Sequence, residues 1–264
     1  MDDYTILNPD EIKEMREGGK IWQLISKELK EFTKAGVTGA EVNNKAKELF
    51  DKHRVETAFY LYHNFPGHIC ISVNDCIIHG VGHDITFKSG DKVTLDIGFK
   101  HKSIFIDSAM TLIIDPDTNS KYVDFIEHGH KALWAGIKAV RPKCTQGDIA
   151  YAIEKYVIDN TKYAIIDGFV GHTIGKEIHL KPNIYNKGLK PGQGMIIKPG
   201  TVICVEPMLL DQDTGEHRKG ENGFDIFSKK VGSMTCHWEH MVLVMDNGIE
   251  VLTASEEEIK KYLG

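Results

Sequence analysis

Apolar residues recur at helical spacing in two stretches near the start of the chain, and each stretch carries its own start signal. In the first, Asn8 is placed to cap, Pro9 suits the first helical position, and Asp10 and Glu11 complement the helix dipole. Ile12, Met15, Ile21, Leu24, Ile25 and Leu29 then fall on one face, with Gly18-Gly19 as a soft point inside the helix. In the second, Thr38 stands three residues before Glu41, the capping-box pattern, and Val42, Ala46, Leu49 and Phe50 keep helical spacing. The same plan returns between 119 and 160: about 20 residues rich in Ala and Ile, then RPKCTQGDIAYAIEKYVI. Thr145 aligns with Thr38, Asp148 with Glu41, Ile149 with Val42 and Val157 with Phe50, an offset of 107 residues (145 − 38). A strand-rich block follows each helical pair, over roughly 69–114 and 163–253. No Pro/Ser/Gly-rich linker divides them. The pattern predicts one α/β (α+β) domain spanning 1–264, with two similar halves, 1–115 and 116–264, around a central, mostly antiparallel sheet.

Four acids interrupt the apolar strands: Asp96 in KVTLDIGF, Asp107 in SIFIDSAM, Glu206 in TVICVEPML and Glu239 in CHWEHMVLVM. An unpaired carboxylate in such a setting costs several kcal/mol. Side chains alternate along a strand, so Asp96 points away from Val93, Leu95, Ile97 and Phe99. Asp107 lies eleven residues on, far enough for a neighbouring strand joined by a hairpin around HKS. Any one of these acids reads equally well as a solvated residue on a half-exposed strand. All four together, with His172 in the glycine-flanked GFVGHTIG, point instead to convergence on divalent cations that offset their mutual repulsion. His79, ending a strand in IIHGVG, and His179, before a Pro-bounded loop in KEIHLKP, are poised beside them.

Composition narrows the partners. A net charge of −6 argues against nucleic acid or an anionic membrane as the main ligand. No apolar run approaches the roughly 18 residues needed to span a bilayer, and MDDYTILNPDEIKEM lacks the layout of a signal peptide. The five cysteines are odd in number and form no CxxC pair, which suits a reduced, cytoplasmic protein.

With NFPGHICISVND and HGV, GDKVTLDIG, the D-S-A at Asp107, GHTIG, the H-L-K-P stretch, VEPM and WEHMVLV in that order, the chain resembles the type I methionine aminopeptidases across nearly its whole length. The resemblance implies the pita-bread fold and two divalent metals, manganese, iron or cobalt, with zinc also accommodated. Asp96 would hold one metal, Asp107 and Glu239 would bridge both, and His172 and Glu206 would complete the second. A water between the metals would attack the first peptide bond, Glu206 would shuttle its proton, His179 would bond the scissile carbonyl, and His79 would hold the adjacent peptide nitrogen. A methionine slot would be lined by Tyr62, His63, Phe65, Cys70 and Ile178. Implied partners are the N-termini of nascent polypeptides and the ribosome that presents them, with the enzyme a monomer. The initiator methionine would be removed when the second residue is small. An Xaa-Pro peptidase or a non-catalytic binding protein on the same fold is the alternative. Thr173 in place of the usual glycine, Ile178 in place of an aromatic or leucine, and Asp225 where a tryptophan is expected mark departures around the slot.

Overall fold

The computed structural model describes residues 5–118 and 120–264. Helix α1 (Pro9–Phe32) starts on the expected cap, with Asn8 accepting from the amides of Asp10 and Glu11 and the Glu11 carboxylate accepting from the Asn8 amide. Its buried face is Met15, Trp22, Ile25 and Leu29, whereas Leu24 is exposed. Gly18-Gly19 is a packing device rather than a soft point. A Cβ on Gly18 would sit 2.4 Å from Ile106 Cδ1, and one on Gly19 2.4 Å from the Leu252 carbonyl, so only glycine lets α1 lie this close to the sheet. Trp22 fastens the contact by donating to the Ile97 carbonyl at 3.1 Å.

Helix α2 (Gly39–His53) and the short strands β1 (Glu56–Thr57), β2 (Cys70–Val73) and β3 (Cys76–Ile78) lead to a long hairpin, β4 (Lys92–His101) and β5 (Ile104–Ile113). The second half repeats the order with α3 (Ser120–Ala139) and α4 (Gln146–Asn160), then β6 (Ala164–Ile165), β7 (Gly171–Ile174), β8 (Leu180–Ile184) and β9 (Val202–Val205). Strands β10 (Met208–Leu210), β11 (His217–Lys219), β12 (Ile226–Ser228), β13 (Thr235–His237), β14 (His240–Met245) and β15 (Gly248–Val251) and helix α5 (Glu256–Leu263) complete the chain. Every strand pair among the described residues is antiparallel. Strand β4 carries β5 on one edge and β1 and β2 along the other, and the order β15-β14-β9-β7-β8 builds the second main sheet. Two three-stranded ladders, β13-β10-β6 and β11-β12-β3, accompany them. The main sheets meet where the Glu239 amide donates to the Ala109 carbonyl at 3.0 Å and Ser108 Oγ donates to the Glu239 carbonyl.

The repeat is visible atom by atom. Thr38 and Thr145 both close capping boxes, with Glu41 and Asp148. After each cap the backbone makes the same ties: Gly39 N to Ile85 O and Gln146 N to Met195 O, Phe87 N to Val37 O and Ile197 N to Cys144 O. Phe87 and Ile197 then open matching turns, KSGD and KPGT, that feed β4 and β9. Counting on from these turns pairs Asp96 with Glu206, at an offset of 110 (206 − 96). One apolar core lies under α1, α2 and β4–β5, another under α3, α4 and β9–β14, and the acids sit between them.

Candidate metal centre

The strand register places the first two acids. Asp96 faces Ala109 across β4–β5 and Asp107 faces Gly98, so the two lie diagonally on one face of the hairpin. Gly98 has a second duty, since a Cβ there would meet the Phe59 ring at 2.5 Å. Glu206 directly follows β9, its carbonyl accepting from Asn186 Nδ2 at 3.1 Å, and Glu239 directly precedes β14. His172 sits where the β7–β8 register slips, between the pairs Gly171–Ile184 and Thr173–Leu180. Such a bulge re-aims a side chain, and here it turns the imidazole inward, with Nδ1 against the Thr173 carbonyl at 3.0 Å.

The five groups converge on the floor of a cleft of about 450 Å³. One oxygen each from Asp96, Asp107 and Glu239 falls within 4.8 Å of the others, and Asp107, His172 and His179 form a second such trio. His172 Nε2 stands 3.4 Å from Glu206 Oε1. Asp96 Oδ1, Asp107 Oδ1 and Glu239 Oε1 are buried with no hydrogen-bond partner. Burial raises the pKa of all four acids. Asp107 is pushed up further by Glu239, Asp96 and Glu206, Glu239 by Glu206 and Asp96, and Glu206 by Asp96. Burial also drops His172 to about 3, so the ring presents neutral nitrogen. Unpaired, converging oxygens beside a neutral imidazole are the donor set that divalent ions of intermediate hardness take, and the residues fit a metal centre.

The cleft walls hold His79, His179, Tyr62, His63, Phe65 and Cys70. Ile178 is the exception: it is buried in the first core and takes no part in the wall. The His179 ring packs against His172, 4.6 Å between centroids, and against Tyr62 at 6.0 Å. Enclosure lowers the pKa of both His79 and His179, as do the neighbouring imidazoles, His237 and His179 for the first and His63 for the second. Leu61, His63, Asn64 and His79 all have positive φ, from 49 to 68°. Of these, His63 and His79 line the cleft, each at a backbone cost on the order of 1–3 kcal/mol. Asp225, where a tryptophan was expected, is spent on structure, its Oδ1 accepting from the Val81 amide at 2.9 Å, while Phe224 meets Phe65 edge-on at 5.5 Å. Sequence reasoning missed Phe59, Phe169 and above all His237. The available signal was the spacing H-x-E, which puts His237 and Glu239 two residues apart.

Residues 13–246 match the profile of metallopeptidase family M24. The chain belongs to metallopeptidase family M24. Within this family it groups with the methionine aminopeptidases, and it is a metalloaminopeptidase. It is 31% identical over 249 residues to a methionine aminopeptidase of Mycoplasmoides gallisepticum, covering 94% of this chain and 98% of that one. The methionine aminopeptidase of Thermotoga maritima superposes with a TM-score of 0.90 at 30% identity, covering 96% of this chain and all of that one. Against the prolidase of Pyrococcus furiosus the TM-score is 0.74 at 21% identity, and the match spans 66% of that chain, a likeness of fold alone. The M24 fold thus carries the pita-bread architecture anticipated above, and divalent metal binding comes with the family. Among the described residues no helix is long and apolar enough to cross a membrane.

Proposed function

We propose that this M24 peptidase removes the initiator methionine from nascent chains whose second residue is small, using two divalent ions held by Asp96, Asp107, His172, Glu206 and Glu239. The observation that carries the reading is the convergence of these five side chains, with partnerless buried oxygens, at the floor of the cleft. Asp107 groups with Asp96 on one side and with His172 on the other, and Glu239 groups with Asp96 and with Glu206, which supports bridging roles for both. Bound ions would polarise the scissile carbonyl and bring a water's pKa towards neutrality. Glu206, on the cleft lining beside His172, takes the proton of the attacking water and returns it to the departing amine. His179, held against Tyr62, donates to the oxygen of the cleaved bond, and His79 holds the adjacent peptide nitrogen. Tyr62, His63, Phe65 and Cys70, with Phe59, supply an apolar slot suited to a thioether. Manganese, iron or cobalt suits this donor set, and we place the enzyme in the cytoplasm as a monomer acting where the ribosome presents new N-termini.

Cleavage of Met-Ala-Ser, Ala-Pro and Leu-Ala-Ser peptides with added manganese or cobalt tests the reading. Release of methionine alone is expected. Cleavage of the proline peptide without methionine release would instead assign the chain to the Xaa-Pro side of the family.

A further inference from the structure

Besides His63, His79 and His179, the described lining of the cleft holds a further imidazole that the five-ligand scheme leaves out, His237. It ends β13, and its backbone is clamped: the amide donates to Thr111 Oγ1 at 3.1 Å and the carbonyl accepts from the same hydroxyl at 2.7 Å. Thr111 is itself joined to Thr94 at 2.9 Å. The residue is 2% exposed, and neither ring nitrogen has a hydrogen-bond partner. Its Nε2 lies 3.4 Å from Glu206 Oε2 and 4.0 Å from Glu239 Oε2, and one donor atom from each of the three falls within a 4.8 Å set.

Those separations discriminate between two kinds of contact. A charge-assisted hydrogen bond between imidazole and carboxylate would close to about 2.7–2.9 Å. Two ligands of one ion, each about 2.0–2.2 Å from it, stand roughly 3–4 Å apart according to the angle between them. His172 and Glu206 are separated by the same 3.4 Å. Glu206 therefore stands between two imidazoles, with Oε1 toward His172 and Oε2 toward His237. Charge agrees with geometry. Two divalent ions balance four carboxylates, and a neutral imidazole adds a donor without adding charge.

We propose that His237 is a sixth protein ligand of the metal pair, giving this centre two nitrogen donors in place of one. The proposal rests on the metal-centre reading above. Its chemical consequence is selectivity: a second imidazole favours cobalt, iron and zinc over manganese, which prefers oxygen.

The test uses the full chain, stripped with chelator and titrated with Co²⁺ and Mn²⁺ by calorimetry, in the wild type and in His237→Gln. Loss of the ligand should weaken Co²⁺ binding at least about tenfold, weaken Mn²⁺ binding less, and shift the visible Co²⁺ absorption bands. A proton NMR spectrum of the Co²⁺-loaded wild type gives a second reading that needs no variant. Two exchangeable, strongly shifted imidazole N–H signals are expected, one from His172 and one from His237. Unchanged Co²⁺ affinity and absorption in the variant, or a single such signal in the wild type, would overturn the proposal while leaving the five-ligand centre standing. A wild type that binds neither ion would overturn both.

Discussion

Replacing Asp107 by Asn should stabilise the metal-free protein and destabilise the loaded one. Asp107 is 4% exposed, its Oδ1 has no partner, and Glu239, Asp96 and Glu206 all bear on it. A buried polar group left unsatisfied costs about 1–3 kcal/mol, more if charged, and the amide removes the charge while leaving some polarity unmet. A net gain of about 1–2 kcal/mol follows, worth roughly 2–8 °C in a domain of this size. With metal at about 100 times Kd the wild type gains roughly 2.7 kcal/mol that the variant, short of a bridging ligand, largely forgoes. The order of melting temperatures should therefore reverse between chelator and excess Mn²⁺, as read by calorimetry. The sign with pH follows from the raised pKa. The folded state holds the Asp107 proton more tightly than the unfolded one, so metal-free wild-type stability is lost as pH climbs from the unfolded carboxyl range through the raised value. The advantage of the variant should accordingly be small near pH 5 and grow toward pH 8. A variant that melts below wild type by the same margin with and without metal would refute the argument, because Asp107 would then be serving the fold.

Three further outcomes are expected. Glu206→Gln should cut kcat by at least about 100-fold while the metal-free melting temperature holds or rises, and near-normal turnover would remove Glu206 from the proton path. Divalent affinity should fall as pH drops, because ions compete with protons for acids whose pKa values are raised; calorimetric titrations at pH 6 and 8 giving equal affinity would contradict the assigned ligands. Gly171→Ala puts a Cβ 2.3 Å from the Cys204 carbonyl, so a loss of about 1–3 kcal/mol with weakened metal binding through His172 is expected in melts and titrations.

The helix caps were readable because capping is local: Asn8, Thr38 and Thr145 need only the next three residues to declare themselves. The acids were readable because charge is costly in largely apolar strands such as KVTLDIGF and SIFIDSAM. What could not be read was set by contacts distant in sequence. Gly18-Gly19 looks like a weakness until Ile106 and Leu252 are seen against it. Ile178 follows the apolar pattern of the slot, yet the chain turns it into the core. The equivalence of Asp96 and Glu206 was hidden because their flanks differ in every strand residue, and only the turns and the backbone ties betray it. His237 was passed over because the H-x-E spacing alone carries little signal until Glu206, thirty-one residues earlier (237 − 206), is brought beside it.

The division of the five proposed ligands between the two halves would make the metal site an assembly checkpoint. Asp96 and Asp107 belong to the first half, and His172, Glu206 and Glu239 belong to the second. Neither set alone gathers the full ring of donors. A chain emerging in order cannot offer a finished site until Glu239 has been made and its amide has found Ala109. In the proposed centre, metal capture would thus be an act of completion, reporting that the two halves have docked.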